Sequence, residues 1–265
     1  MVAASFDPGI QGTRLAYLKD GGVEELGPCG FFWLGGFMSE MTGTKGEALA
    51  HLARATRRPC LRFDYSGHGQ SDGLFSEGTI TLWLEQAVHM FIAHTKNKRI
   101  IVGSSMGGWL ALLLIRRLEK EDPSALRRIA GLVLIAPATD MTSALLWERF
   151  PAEAKQALME RGIWEMPSAY GAPYPITAKL IDDGADHCIL PDGMALPMPV
   201  RILQGTEDLD VPLDHAIRTM SAVRATDMTL TLVKGGDHRL SAPHQLRLMQ
   251  ETVLALADRA DGKTF

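Results

Sequence analysis

The stretch RIIVGSSMGGWLALLLI, residues 99–115, decides the fold class of this chain. It opens with a short β-branched run typical of a buried strand, and a helix-forming segment follows from Met106 to Lys120. Between the two, residues 103–107 read G-x-S-x-G with Ser105 at the centre. A serine on a sharp strand-to-helix turn has its hydroxyl pushed outward, and it needs small neighbours two residues away on each side. The pattern therefore predicts Ser105 as a nucleophile.

The rest of the chain repeats this alternation of strand and helix. Strand-like runs occupy 14–18, 30–34, 60–65, 131–135, 200–204 and 228–233, and helix-like spacing occupies 79–94, 213–224 and 243–259. Short apolar strands separated by helices are typical of a mostly parallel central sheet flanked by helices. We therefore expect an α/β protein with that architecture.

One connection is too long for this alternation. About sixty residues lie between the strands that end near Ala136 and begin near Val200, whereas an ordinary crossover needs far fewer. The connection holds a helix-like run, PAEAKQALMERG, and many prolines and aromatic residues. We expect a cap over 141–197, inserted between late strands and dividing the α/β core into parts 1–140 and 198–265. A surface decoration without a role is the alternative.

Two later residues supply the partners that a serine nucleophile needs. A serine hydroxyl is a weak nucleophile and requires an adjacent base. His238 follows the strand-like TLTLV and the loop KGGD. An acid is expected after the preceding strand, where the spacing G-x-x-D-x-x-V-P selects Asp208 and leaves Asp210 as the alternative. The order serine, acid, histidine is that of the α/β-hydrolase fold, which we therefore predict.

Two backbone N–H groups are expected to form the oxyanion hole of this site. The Met106 N–H lies at the positive end of the helix that follows Ser105. The Phe37 N–H lies in the loop after an earlier strand, beside Gly35 and Gly36. We also expect Met38, Trp109 and Trp164 to line the substrate pocket. Apolar residues at helical spacing are usually core, so that role stays open for each of them.

Composition and motifs exclude several other classes of function. The chain carries 27 basic and 31 acidic residues without a basic cluster, so no nucleic-acid partner is expected. Neither H-E-x-x-H nor G-x-x-x-x-G-K-[ST] occurs, and we expect no metal and no cofactor. The glycine-rich DYSGHGQS at 64–71 lacks the third glycine of a dinucleotide loop, and we interpret it as a tight structural turn in which His68 is not catalytic.

The remaining signals concern compartment. Cys29, Cys60 and Cys188 are odd in number and widely spaced, which favours small apolar core residues over reactive thiols. The longest apolar run, 109–115, is far shorter than the about 20 residues that span a bilayer, so we expect no membrane span. The N-terminal residues show no apolar run after a basic one, and we expect a cytoplasmic protein.

Several longer stretches resemble a known family, the abhydrolase-domain-containing acyl-protein thioesterases. They are MTGTK at 41–45, RFDYSGHGQSDG at 62–73, VGSSMGGWL at 102–110, GIWEMPSAY at 162–170, DHCIL at 186–190 and GDHR at 236–239. The resemblance implies removal of S-acyl groups from cysteine and hydrolysis of acyl-glucuronides and other carboxylic esters. It places the nucleophile, acid and base on Ser105, Asp208 and His238.

The expected partner is thus a small-molecule ester or acyl-thioester, or an acylated protein. Two other functions stay open at this point. One is C–C bond hydrolysis, which uses a serine on the same scaffold. The other is a non-catalytic receptor for a small ligand.

Overall fold

A computed structural model describes residues 3–10, 12–24, 27–167 and 173–263 of the chain. In chain order the strands are β1 (Ser5–Asp7), β2 (Leu15–Asp20), β3 (Gly30–Leu34), β4 (Cys60–Phe63), β5 (Arg99–Ser104), β6 (Ile129–Ile135), β7 (Ile163–Met166), β8 (Tyr174–Thr177), β9 (Met194–Leu196), β10 (Val200–Gly205), β11 (Val223–Ala225) and β12 (Met228–Val233). The helices are α1 (Thr44–Thr56), α2 (Ile80–His94), α3 (Met106–Glu121), α4 (Pro123–Leu126), α5 (Ala152–Arg161), α6 (Ala178–Ala185), α7 (Leu213–Ala222) and α8 (Pro243–Ala260).

An eight-stranded sheet in the order β1-β2-β4-β3-β5-β6-β10-β12 forms the centre. The pairs β1–β2 and β2–β4 are antiparallel, and the other pairs are parallel. Helices α2 and α3 pack on one face in the larger apolar cluster, and α1 and α8 pack on the other. The mostly parallel sheet with helices on both faces is therefore present as predicted.

Strand β5 shows why this segment lies at the centre of the sheet. All six of its residues are buried. Side chains alternate along a strand, so Ile101 enters one apolar cluster while Ile100 and Val102 enter the other. Strand β5 has a neighbouring strand on each side and helices on both faces. The position of the turn that follows it is therefore fixed by the core.

Several elements differ from the sequence-based prediction. The interpretation of the sequence contained neither the strand Ser5–Asp7 nor the helix Thr44–Thr56, and the strand predicted over 14–18 is found over 15–20 as β2. The helix predicted over 213–224 ends at Ala222, because Val223–Ala225 pairs with Met194–Leu196 as a small separate sheet. The local preference of residues 223–224 for a helix is weak, and pairing with a distant strand overrides it.

Residues 141–197, which we call the inserted segment, lie between β6 and β10 and include β9. The segment contains a π-helical turn over Met141–Leu146, helix α5, the antiparallel hairpin β7–β8 and helix α6. A small apolar cluster holds it together and includes Phe150, Ala154, Leu158, Ile176 and Ile181. Residues 168–170 of the resembling stretch GIWEMPSAY lie outside the described residues.

A buried carboxylate ties the end of the inserted segment to the core. Asp140, directly after the loop that follows β6, accepts hydrogen bonds from the Ile189 N–H at 2.8 Å and the Leu190 N–H at 2.9 Å. Burial raises the pKa of this carboxyl. Within the part of the chain that the structure describes, no helix combines the length and the apolar character needed to cross a bilayer.

Candidate active site

The backbone at Ser105 has a conformation that few residues adopt. Its φ of 54° and ψ of −120° place it at the sharp turn between β5 and α3. A Cβ atom at Gly103 would lie 2.4 Å from the Gly107 carbonyl oxygen, and one at Gly107 would lie 2.1 Å from the Leu34 carbonyl oxygen. Neither position can hold a larger residue without moving the backbone, which is the physical reason for the G-x-S-x-G spacing.

The structure brings the three predicted side chains together. The Ser105 hydroxyl lies 3.0 Å from His238 Nε2, and His238 Nδ1 lies 2.9 Å from Asp208 Oδ2. An ionised carboxylate only accepts, so the Nδ1–H donates to Asp208 and Nε2 is left to accept the serine proton. In the neutral imidazole this arrangement is the tautomer that can act as a base.

The loop after β10 holds Asp208 rigidly. Its side chain is fully buried. One carboxylate oxygen accepts the backbone N–H groups of Asp210 at 3.0 Å and Val211 at 2.8 Å, and the other accepts Gln204 Nε2 at 3.1 Å as well as His238. These three donors orient the carboxylate independently of His238.

Asp210, the alternative acid, is exposed, and its backbone N–H donates to Asp208. Among the described residues, one set has the spacing that a metal ion could use: Asp208, Asp210 and His238, with ligand atoms within 4.8 Å of one another. Two of these residues are already joined by the hydrogen bond described above. The set therefore belongs to the same hydrogen-bonded group as Ser105.

The two predicted oxyanion donors border Ser105. Met106 begins α3, so its N–H has no partner from a preceding helical turn. Phe37 follows Gly36, where a Cβ atom would lie only 3.9 Å from Ser105 Oγ. The loop of Phe37 and the end of β5 thus flank the same hydroxyl. A carbonyl attacked by Ser105 would develop its negative charge between these elements.

The three predicted pocket residues have different surroundings. Met38 is 43% exposed in the loop beside Phe37. Trp164 is half-buried in the inserted segment, with its ring 4.9 Å from that of Phe150. Trp109 lies on α3, has no exposed surface and belongs to the larger core cluster, so its surroundings are those of a core residue.

Sequence reasoning missed two side chains that support the site. Gln204, at the end of β10, is fully buried and donates to Asp208 and to the Val211 carbonyl oxygen at 2.9 Å. The Lys45 ammonium donates a hydrogen bond to the Arg239 carbonyl oxygen and so connects α1 to the loop that carries His238. Burial lowers the pKa of Lys45 to about 8. The stretch MTGTK at 41–45 was a signal for Lys45, but its contact with residue 239 is visible only in three dimensions.

The cysteines lie outside this group. Cys29 and Cys60 are buried in the smaller core cluster, and burial raises the pKa of each thiol to about 12. Cys188 is half-buried, 3.3 Å from the Ser143 hydroxyl, and burial raises its pKa as well. Thiols with such raised pKa values are largely protonated at neutral pH and are weak nucleophiles.

Comparison with known proteins identifies the family. A model of the alpha/beta hydrolase family matches residues 29–251. The chain belongs to this family. It is a hydrolase with the predicted α/β-hydrolase fold, and it is also similar to a group of curated relatives. The human relative, named palmitoyl-protein thioesterase ABHD10, mitochondrial, is 32% identical over 249 residues, which make up 93% of this chain and 77% of that protein.

Solved structures agree with this placement. A protein from Agrobacterium vitis S4 is 38% identical, with a TM-score of 0.90 over 97% of this chain and 98% of that one. Alpha/beta hydrolase domain-containing protein 10 from mouse is 27% identical, with a TM-score of 0.84 over 97% of this chain and 99% of that one. The predicted resemblance to the abhydrolase-domain-containing thioesterases is thus confirmed.

Proposed function

We propose that this hydrolase cleaves carboxylic esters or acyl-thioesters through Ser105, His238 and Asp208 and an acyl-enzyme intermediate. The observation that carries the proposal is the unbroken hydrogen-bonded line from Ser105 Oγ through the imidazole of His238 to Asp208 Oδ2. The tautomer of the imidazole leaves Nε2 free to take the serine proton. The family membership agrees with this chemistry.

In the first half of the reaction, Ser105 Oγ attacks the acyl carbon as its proton passes to His238 Nε2. Asp208 stabilises the imidazolium, and the N–H groups of Phe37 and Met106 receive the oxyanion. When the tetrahedral intermediate collapses, the alcohol or thiol leaves with the proton from Nε2. His238 then takes a proton from water, which attacks the acyl-enzyme and releases the acid, and Ser105 regains its proton.

Within this reaction we favour thioesters of long acyl chains, including acylated protein cysteines. The curated relatives carry the name palmitoyl-protein thioesterase. In the loop whose Gly36 borders Ser105, the Phe37 ring packs edge-on against Phe75 at 4.8 Å and Tyr174 at 6.1 Å. Aromatic surfaces from the core and from the inserted segment therefore meet next to the nucleophile, where an apolar chain can be buried.

We further propose that the inserted segment acts as a cap. Arg149 in this segment donates to the carbonyl oxygens of Leu209 and Asp210, both at 2.9 Å, and so reaches over the loop of the acid. Tyr174, on β8, faces Phe37. A segment that contacts two of the loops around the nucleophile is placed to restrict which acyl groups enter.

The test combines turnover with covalent labelling. Nitrophenyl esters and acyl-thioesters of increasing chain length are assayed with the wild-type protein and with Ser105→Ala, which keeps the backbone of the turn. We expect hydrolysis by the wild type alone and a fluorophosphonate adduct at Ser105 by intact-protein mass spectrometry. An adduct without turnover of any ester or thioester would favour C–C hydrolysis, and the absence of both would favour a receptor.

A further inference from the structure

Residues Gly35–Ser39, which we call the oxyanion loop, are held at two points. At the first, the Gly36 N–H donates to Ser39 Oγ and the Ser39 N–H donates to the Gly36 carbonyl oxygen, both at 3.2 Å. In a trans peptide the C=O and N–H point in opposite directions. Because the Gly36 carbonyl points at Ser39, the Phe37 N–H of the same peptide points away from it.

The second point is His68. This residue lies in the turn after β4, is 4% exposed, and has its Nε2 3.3 Å from the Met38 backbone N. Its Nδ1 lies 3.1 Å from the Ser66 carbonyl oxygen. A backbone N–H can only donate and a carbonyl can only accept, so Nε2 is the acceptor and Nδ1 carries the hydrogen. The imidazole is therefore neutral, with both nitrogens engaged by backbone groups.

The surroundings keep the imidazole in this state. The rings of Phe75 and Trp83 lie 5.1 Å from it and that of Tyr65 lies 5.6 Å from it, and burial lowers the pKa of His68 to about 4. With Nε2 bonded to the Met38 N–H and the Nδ1–H bonded to the Ser66 carbonyl oxygen, neither ring nitrogen is available to a substrate. Its chemistry is that of a fixed acceptor.

The hydrogen bond from the Met38 N–H to His68 stabilises an unusual backbone conformation at Met38. Its φ of 57° lies in the left-handed region, which a residue with a side chain adopts only when its surroundings impose it. The hydrogen bond to His68 fixes the Phe37–Met38 peptide, while Ser39 fixes the Gly36–Phe37 peptide. The two hydrogen bonds therefore hold both peptide planes that flank Phe37, and the first of these planes carries its N–H.

We propose that His68 is a positioning residue for the oxyanion hole: its neutral Nε2 accepts the Met38 N–H and thereby aims the Phe37 N–H at the oxygen that becomes negative. The inference rests on the proposed function, since it takes the Phe37 N–H as an oxyanion donor. It gives the turn DYSGHGQS at 64–71, interpreted from the sequence as structural alone, a role in the reaction rate.

Three substitutions separate the acceptor from the shape of the ring. His68→Gln keeps an oxygen at the place of Nε2. His68→Phe keeps the planar ring but removes the acceptor. His68→Leu is a second, smaller variant without an acceptor, in case phenylalanine does not fit. The matched control is Tyr65→Phe, which changes a ring in contact with His68 but removes only a hydroxyl without a hydrogen-bond partner among the described residues.

The readouts are kcat and KM for a short nitrophenyl ester and the inhibition constant of an alkyl boronic acid, which adds to Ser105 as a tetrahedral anion. Removing one oxyanion donor outright costs about 10²–10³ in kcat. A misaimed donor should cost less, so we expect His68→Phe and His68→Leu to lower kcat about 10–100-fold with KM within about twofold. Boronate affinity should fall in parallel, and His68→Gln and Tyr65→Phe should stay within about fivefold of wild type.

Two results overturn the proposal. One is an unchanged kcat in whichever acceptor-free variant folds. The other is an equal loss in His68→Gln and His68→Phe, which would make the shape of the imidazole the cause. Both are distinct from failure of the proposed function, which shows itself as turnover that does not depend on Ser105.

Discussion

The loops at the carboxyl edge of the sheet and the inserted segment are held together by different forces. Gly107 packs directly against the Leu34 backbone, and Asp208 is fixed by the N–H groups of two residues in its own loop. The inserted segment depends on side chains, such as the rings of Phe150 and Trp164, tilted by 70° at 4.9 Å. Backbone contacts leave no room for change, whereas side-chain packing can be rebuilt with other apolar residues.

This difference suggests a division of labour. We propose that the loops of the sheet carry out the reaction and that the inserted segment selects which acyl groups reach it. The two meet at Phe37, whose ring packs both on Phe75 of the core and on Tyr174 of the inserted segment. Substitutions in the loops should therefore affect all substrates equally, and substitutions in the inserted segment should change preference among them.

The largest effect is expected from Asp208→Asn. An amide NH₂ at the position of Oδ2 would face His238 Nδ1 as a donor, so the imidazole would move its hydrogen to Nε2 and could no longer accept the serine proton. In a serine protease the same change costs about 10⁴-fold in kcat. We expect a loss of about that size for every ester in the panel, measured by steady-state kinetics.

Asp210→Asn is the matched control for this prediction, because Asp210 lies two residues away and is exposed. It should change kcat by no more than about threefold. A larger loss in Asp210→Asn than in Asp208→Asn would make Asp210 the acid.

A pair of glycines compares the two regions in terms of stability. Gly107→Ala places a Cβ atom 2.1 Å from the Leu34 carbonyl oxygen and should lower the free energy of unfolding by about 3 kcal/mol or more. Gly162→Ala, at the end of α5, meets nothing within 4 Å and is strained only by its φ of 73°, which costs about 1–2 kcal/mol. Urea unfolding followed by circular dichroism measures the unfolding free energy of each variant. Equal decreases in the two variants would contradict the proposed difference between the loops and the inserted segment.

The loops were largely predictable because their signals are local. Gly103, Ser105 and Gly107 lie within one turn of chain, and a strand before and a helix after them leave one geometry for the serine. His238 and Asp208 each follow a strand whose apolar run is visible in the sequence. The carboxyl ends of parallel strands share one edge of the sheet, so chain order alone predicted their proximity.

The remaining features depend on contacts between distant residues. The bond from Met38 to His68 joins positions thirty apart, and nothing in either segment indicates the other. The hairpin β7–β8 is half-exposed and lacks a clear alternating pattern. Trp109 belongs to a helix buried from Met106 to Ile115, where apolar spacing does not distinguish a pocket face from a core face.

The buried imidazole of His68 should make the free energy of unfolding depend on pH. Its folded pKa of about 4 lies below the usual 6.5. As pH falls, the unfolded chain takes up the proton near 6.5, whereas the folded protein does so only near 4. The stability that His68 contributes is therefore complete above pH 6.5 and is lost as pH falls from there towards 4. Linkage gives a loss of about 2 kcal/mol at pH 5.

His68→Gln removes this titration. The decrease in unfolding free energy between pH 7 and pH 5 should therefore be about 2 kcal/mol smaller in the variant than in the wild type. His51→Gln, on the exposed side of α1, controls for the removal of a histidine. Parallel curves for the wild type and His68→Gln would show that the imidazole does not resist protonation in the folded protein.

The smallest effect, and the most selective one, is expected from Trp164→Ala in the inserted segment. Trp164 belongs to the cluster that also contacts Phe37, so its loss should open the acyl side of the site without moving Ser105. We expect kcat/KM for long acyl chains to fall about tenfold, which corresponds to about 1.4 kcal/mol of lost burial, and kcat/KM for an acetyl ester to stay within about twofold.

Met159→Ala controls for apolar truncation elsewhere in the same segment, since Met159 is 74% exposed on α5 and should leave the profile unchanged. A uniform loss over all chain lengths in Trp164→Ala would mean that the inserted segment holds Phe37 in place and so belongs to the reaction. An unchanged profile would mean that acyl chains bind elsewhere. A selective loss is the result that the division of labour requires, because only then is access separable from chemistry.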